Sequence, residues 1–100
     1  MDRIEKDLLG ELAVPEHAYW GIHTERALRN FPVSGRPVHP SLIEAMALVK
    51  KACCLANADT GHLPGRKADA IARACDEIAE GKMRDSFPVD ALQGGAGTST

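Results

Sequence analysis

The residues best suited to chemistry lie in Gly94–Thr100, where glycines precede three hydroxyl side chains. Gly95 and Gly97 allow the backbone to turn sharply and to approach a ligand closely. Thr98 and Ser99 offer hydroxyl groups, and such a loop offers free backbone N–H groups, which together suit a carboxylate or a phosphate. No lysine precedes the hydroxyl residues, so the loop is not a Walker A motif. The sequence therefore predicts an anion-binding loop, and a flexible tail or a simple turn is the alternative.

Two residues near the N-terminus are weaker candidates for a site. His23 precedes Thr24 and could act as a general base, and the alternative is a histidine that packs at the start of a helix and bonds the backbone. Arg26 could bind a substrate carboxylate through two guanidinium nitrogens. The alternative for Arg26 is a surface ion pair with Glu16 or Glu25.

The cysteine and histidine pattern argues against a metal site. Cys53 and Cys54 are adjacent, and with Cys75 they make an odd number, which does not suit a disulfide framework. We expect reduced thiols in a cytoplasmic protein, with Cys53 and Cys54 as small core residues. Zinc binding is not expected, because the sequence has no C-x-x-C motif and no suitably spaced histidine pair.

The N-terminal third of the chain must position His23 and Arg26. Residues 3–14 predict a weak β-hairpin or an extended arm, which Pro15 ends. Thr24 is the predicted N-cap of a short helix that ends near Asn30. Residues 31–40 contain three prolines and a glycine and therefore predict a loop.

Two longer helices are predicted in the centre of the chain, and together they form a helical hairpin. Ser41 and Glu44 have the spacing of a capping box, and the helix that they begin should run to Asp59 and stop at Gly61. A second helix should begin near Pro64 and end before Gly81. The first helix has apolar residues on two faces, so we expect more than one partner to bury it. The two faces are Leu42, Met46, Val49, Cys53 and Ala56, and Ala45, Leu48, Ala52 and Leu55.

Length and charge exclude several classes of protein. The chain has 100 residues and a net charge of -2, so it lacks the basic excess that nucleic-acid binding requires. No apolar run approaches the roughly 18 residues that a membrane span needs. No repeat or linker is visible, which predicts one domain over residues 1–100. The sequence stops inside the loop of Gly94–Thr100, and a functional loop normally has a rigid element on both sides, so we expect a piece of a longer protein.

Ten segments, in the same order, resemble the N-terminal part of the fumarase/aspartase superfamily. The segments are Arg3–Gly10, Val14–Pro15, Tyr19–Thr24, Arg26–Ala27, Asn30–Phe31, Lys50–Ala52, Leu55–Asn57, Ala74–Ile78, Phe87–Asp90 and Gln93–Ser99. Within the superfamily the aspartase branch is the most similar. His23-Thr24 resembles aspartases, whereas fumarases usually carry Gln-Thr. The sequence Gln-Gly-Gly-Ala-Gly-Thr-Ser at 93–99 also resembles aspartases, whereas fumarases usually carry Gln-x-Gly-Ser-Gly-Thr.

The resemblance implies a fold and a reaction. The fold is mainly α, the N-terminal domain of the superfamily, with a helical hairpin, a short helix and a small β-hairpin or extended arm. The reaction is the reversible deamination of L-aspartate to fumarate and ammonia, carried out by a homotetramer. Each active site takes segments from three subunits and needs no metal or organic cofactor, with magnesium possible as an activator of the longer protein.

The resemblance also assigns roles in the site. Thr98, with Ser99 beside it and the backbone of Gly95 and Gly97 around it, corresponds to one carboxylate-binding segment of the family. The general base is a serine in a Gly-Ser-Ser loop beyond Thr100, so we expect the chain alone to be inactive. Two alternatives stay open, a fumarase that hydrates fumarate to malate and a small helical interaction module with a disordered tail.

Overall fold

The computed structural model describes residues 1–93 and residue 100, and its chain divides into two compact units. One unit contains residues 1–38 together with the chain from residue 85 onwards, and the other contains residues 39–84. The described residues contain three α-helices, one short 3-10 helix at Arg84–Ser86 and one two-stranded sheet. The predicted mainly α fold with a small β-hairpin is confirmed.

The first unit begins with an antiparallel hairpin of strand β1 (Asp2–Asp7) and strand β2 (Gly10–Pro15). The register pairs Asp2 with Pro15 and Asp7 with Gly10, so Leu8 and Leu9 form a two-residue turn. Gly10 has a φ of +116°, a conformation that a residue with a side chain rarely adopts. The hairpin and its end at Pro15 are as predicted.

Helix α1 (Ile22–Asn30) packs against the hairpin of the same unit. Val14, Ala18 and Ile22 form a buried cluster, and Leu12 and Trp20 pack on it. The predicted cap at Thr24 is wrong, because the N-cap is Gly21 and the helix begins three residues earlier than expected. Its first free N–H group, that of Ile22, instead donates to Glu5 Oε1 at 2.9 Å, so a strand side chain serves the purpose of a cap.

The second unit is the predicted helical hairpin, formed by α2 (Pro40–Asp59) and α3 (Gly65–Ala79). Both C-terminal glycines stop their helices as predicted, with a φ of +80° at Gly61 and +89° at Gly81. The predicted capping box of Ser41 and Glu44 is wrong. His39 is the N-cap, and its Nδ1 accepts the Ser41 N–H at 3.1 Å. Pro40 takes the first helical position, where its missing N–H costs nothing, and this moves the cap two residues back.

The buried face of α2 differs from both predicted faces. Ile43, Ala47 and Cys54 are buried, whereas Leu48 and Val49 are 57% and 62% exposed. Apolar residues surround most of this helix, so their spacing along the sequence does not select the side that packs on α3. Within the unit, Lys51 Nζ lies 2.6 Å from Asp76 Oδ1, and the Cys54 thiol donates to the Ala68 carbonyl at 3.3 Å.

The three cysteines do not share one environment. Cys54 and Cys75 are buried and free, while Cys53 is exposed. The predicted core position of Cys54 is confirmed, and that of Cys53 is wrong, because one helical step rotates its side chain away from the buried stripe. Among the described residues, no helix combines the length and the apolar character that crossing a bilayer requires.

Candidate functional site

The predicted anion-binding loop lies mostly outside the described residues. Gly95, Gly97, Thr98 and Ser99 belong to the stretch 94–99, for which the structure describes no geometry. The described chain reaches Gln93, whose side-chain amide donates a hydrogen bond to the Thr100 hydroxyl. The described part of the candidate site therefore consists of the residues that lead into this loop.

Asp90 is a buried carboxylate three residues before the end of the described segment, and it is 7% exposed. Its Oδ2 accepts the backbone N–H groups of Ser34 at 2.8 Å and Gly35 at 2.9 Å. Its Oδ1 accepts the Ser34 hydroxyl and the Leu92 N–H, both at 2.8 Å. Four donors thus satisfy one carboxylate and join the loop after α1 to the segment before Gly94. We call these contacts the Asp90 clasp.

The surroundings of Asp90 favour its charged form. The Leu92 N–H is the strongest influence, the hydroxyl of Ser34 and the N–H groups of Gly35 and Ser34 add to it, and burial opposes them. Together they lower the pKa of the Asp90 carboxyl to about 2. Asp90 is therefore an anion at neutral pH, with its oxygens committed to the protein backbone and to Ser34.

Backbone contacts reinforce the Asp90 clasp. Pro37 and Asp90 form an isolated antiparallel bridge, and the Ala91 N–H donates to the Arg36 carbonyl at 2.9 Å. Val89 is 1% exposed, so the residue next to the carboxylate is anchored by burial as well. The family resemblance includes Phe87–Asp90, but it does not indicate that Ser34 and Gly35 are the partners of Asp90. The signal was present in the order Ser-Gly after Pro32, which is typical of a turn with free N–H groups.

Arg26 holds the hairpin and α1 together. Its Nε and one Nη donate to the two carboxylate oxygens of Asp7 at 2.8 Å each, and the same Nη donates to the Gly10 carbonyl at 3.1 Å. The pair raises the pKa of Arg26 and lowers that of Asp7 through this hydrogen bonding. The ion-pair partner is Asp7, not the predicted Glu16 or Glu25. A substrate contact for Arg26 stays a prediction, and it would have to compete with Asp7.

Arg3 is a second guanidinium with a structural role, and it was not among the site residues predicted from the sequence. It donates to the backbone carbonyls of Pro15, Glu16, Ala18 and Trp20 at 2.6–3.1 Å. Its Nε also lies 2.6 Å from Glu5 Oε2, which lowers the pKa of the Glu5 carboxyl. Alternation along β1 could have indicated this, because Arg3, Glu5 and Asp7 share one side of the strand.

The remaining candidates are separate from the Asp90 clasp in sequence. The side chain of His23 is 87% exposed, and its Nδ1 lies 3.7 Å from Asp7 Oδ2. Trp20 Nε1 donates to Glu25 Oε1 at 3.1 Å, so the tryptophan anchors the chain before α1, while Tyr19 is 81% exposed. Across residues 1–93 no three histidine, cysteine, aspartate or glutamate side chains lie close enough to hold a metal ion.

Comparisons with known proteins agree on one family. The family model described as lyase matches residues 10–100. Aspartate ammonia-lyase from a Bacillus species is 50% identical over 97 residues, which are 97% of this chain and 21% of that protein. Class II fumarate hydratase from Halobacterium salinarum is 48% identical over 98 residues, which are 98% of this chain and 21% of that protein.

Solved structures show the same similarity. A crystal structure of fumarate lyase:delta crystallin from Brucella melitensis superimposes with a TM-score of 0.91 at 48% identity, covering 99% of this chain and 24% of that chain. Class II fumarase from Schistosoma mansoni gives a TM-score of 0.82 at 31% identity, covering 89% of this chain and 19% of that chain. The chain spans about a fifth of the length of the relatives it matches.

Proposed function

Since the chain belongs to the lyase family of aspartate ammonia-lyases and class II fumarases, we propose that it is the N-terminal part of an aspartate ammonia-lyase. That enzyme would convert L-aspartate reversibly to fumarate and ammonia. The observation that carries this choice is the motif Gln-Gly-Gly-Ala-Gly-Thr-Ser at residues 93–99, which resembles aspartases. His23-Thr24 supports the same choice.

The role proposed for this chain is to bind one substrate carboxylate. Removing a proton beside a carboxylate builds a doubly charged aci-carboxylate, and the enzyme must aim preorganised donors at that charge. A glycine-rich loop with the hydroxyls of Thr98 and Ser99 has donors of the right kind. The Asp90 clasp supports the proposal, because it anchors the chain just before this loop.

The rest of the proposed site belongs to a longer chain and to other subunits. We propose a homotetramer in which each site combines segments of three subunits, with the general-base serine downstream of Thr100. The loop of this chain would then supply binding, while proton abstraction would depend on a base that must lie within hydrogen-bond reach of the substrate. The family match favours such an enzyme over a small helical interaction module.

A class II fumarase is the second candidate, because the Halobacterium salinarum enzyme has nearly the same identity as the aspartate ammonia-lyases. Both reactions release fumarate, so one ultraviolet assay on the full-length protein can compare L-aspartate with L-malate. We expect a kcat/KM for L-aspartate at least 100-fold above that for L-malate. The opposite preference would assign the chain to a fumarase.

The carboxylate-binding role is tested by Thr98→Val in the full-length protein. The substitution keeps the shape and removes one hydroxyl donor, and a hydrogen bond to a charged group contributes about 1.5–3 kcal/mol. We expect kcat/KM for L-aspartate to fall roughly 10- to 100-fold. Thr60→Val is the matched control, because within the described part of the chain the Thr60 hydroxyl bonds carbonyls at the end of α2 and His62. An unchanged kcat/KM in Thr98→Val would contradict the assignment.

A further inference from the structure

We propose that Asp90 is a positioning residue, which holds the start of the carboxylate-binding loop in place through Ser34 and Gly35. The inference rests on the proposed function and deepens it, because it explains how residues far apart in sequence would orient Thr98. Asp90 itself would not touch the substrate, since its two oxygens already accept four hydrogen bonds from the protein.

The first argument is the direction of the contacts. One oxygen of Asp90 faces Ser34 and Gly35, on a loop more than fifty residues earlier in the chain. The other oxygen accepts the N–H of Leu92, which follows Asp90 in the chain and precedes the glycine-rich stretch. The carboxylate therefore holds the backbone of Leu92, two residues before Gly94, close to the loop of Ser34 and Gly35. The bridge between Pro37 and Asp90 adds a backbone contact between the same two segments.

The second argument is that only a carboxylate matches this set of donors. An asparagine offers one acceptor oxygen and one donor NH₂ group. If its oxygen kept the N–H groups of Ser34 and Gly35, its NH₂ group would face the Leu92 N–H and the Ser34 hydroxyl. Leaving a buried donor without an acceptor is costly, so the backbone on one side of the clasp must move.

The third argument is the short path from the clasp to the loop. Leu92 and Gly94 are two residues apart, and each residue adds only two soft backbone angles. A displacement at Leu92 is therefore passed on to the loop, and a misplacement of about 1 Å in a binding group can lower a rate roughly 100-fold. Loss of a contact in the Asp90 clasp should therefore weaken substrate binding.

A matched control separates positioning from simple stabilisation. Glu5 is a partly buried carboxylate of the same unit, and it accepts hydrogen bonds from both the Arg3 guanidinium and the Ile22 N–H. Glu5→Gln breaks a carboxylate contact of similar kind at the start of α1, away in sequence from the loop. If Asp90 only stabilised the fold, Asp90→Asn and Glu5→Gln would have the same consequences.

The first experiment measures amide hydrogen exchange of the 100-residue chain, which needs no activity. The Leu92 N–H is bonded to Asp90, so we expect Asp90→Asn to speed its exchange at least tenfold, while Glu5→Gln leaves it within twofold of the wild type. Ser34→Ala keeps both N–H contacts of Asp90 and loses one hydroxyl, so it should give a smaller change. Equal exchange of the Leu92 N–H in Asp90→Asn and the wild type would overturn the proposal.

The second experiment measures steady-state kinetics in the full-length enzyme with L-aspartate. We expect Asp90→Asn to raise KM roughly tenfold or more, whereas Glu5→Gln, by reducing only the folded fraction, lowers apparent kcat and leaves KM unchanged. An unchanged KM in Asp90→Asn would also overturn the proposal. If the wild type turns over neither L-aspartate nor L-malate, the proposed function fails, and hydrogen exchange alone decides whether Asp90 holds the loop.

Discussion

Val14→Ala tests the core of the first unit most directly. Val14 is fully buried, in contact with the cluster of Ala18 and Ile22 and with the partly buried side chain of Trp20. The substitution removes two buried carbon groups, which at about 0.8 kcal/mol each amounts to about 1.6 kcal/mol of lost transfer free energy. The cavity left behind adds to this cost, so we expect the free energy of unfolding to fall by about 2 kcal/mol.

The assay follows urea unfolding through Trp20 fluorescence. Trp20 is the single tryptophan of the chain and packs on the Val14 cluster, so its signal reports this unit. With a urea dependence of about 1–3 kcal/mol per molar, a loss of about 2 kcal/mol lowers the midpoint by roughly 1 M. Val33→Ala is the matched control, because the same atoms are removed from a side chain that is 62% exposed.

The result that would refute this reasoning is an equal shift in both variants. If Val14→Ala and Val33→Ala changed the urea midpoint by the same amount, burial of Val14 would not be contributing to stability. The packing of β2 against α1 around this cluster would then be wrong as a description of the core. We expect Val33→Ala to stay within about 0.5 kcal/mol of the wild type, as surface substitutions usually do.

Three further outcomes are expected. The pKa of Asp90 is lowered from 3.8 to about 2, so its stabilising contribution is complete above about pH 4 and is lost as the pH falls through about 2. Urea midpoints followed by Trp20 fluorescence should therefore fall more steeply with acid in the wild type than in Asp90→Asn. Parallel curves for the two proteins would contradict this. The exposed apolar face of α2, which includes Leu48 and Val49, should make the chain self-associate. As the protein concentration rises, sedimentation should show a larger species and chemical labelling of Cys53 should slow. A monomer at every concentration would count against this. The 100-residue chain alone should form no fumarate from L-aspartate, with or without magnesium, since the proposed base lies beyond it; turnover by the pure chain, above host-enzyme controls, would place a base within residues 1–100.

Local chemistry made several elements predictable from the sequence. Pro15, Gly61 and Gly81 end their elements where expected, because proline and glycine act through their own backbone. The helical hairpin was predictable as well, since two long apolar patterns separated by a glycine and a proline leave few other arrangements. The family resemblance predicted a binding role for Thr98 and Ser99, and that role stays a prediction.

The start of α1 was not predictable from local rules, whereas the start of α2 follows a local rule, proline at the first helical position, that competes with the Ser41 cap. Thr24 and Ser41 both have good capping side chains. Yet α1 begins at Ile22, whose N–H donates to the carboxylate of Glu5, and α2 begins at Pro40 after His39. A cap contributes about 1 kcal/mol. A hydrogen-bond acceptor on a neighbouring strand, or a proline at the first helical position, is therefore enough to move the start of a helix.

The sequence by itself determined which elements form, because turn residues and helix stops act over a few neighbouring positions. Only the tertiary structure decided which charges meet. Arg26 pairs with Asp7 across nineteen residues, and Asp90 reaches Ser34 across fifty-six. Such pairs have no periodicity along the chain, and each carboxylate could have paired with any nearby donor. The folded backbone selects the partner, because it is what brings the N–H groups of Ser34 and Gly35 to the oxygens of Asp90.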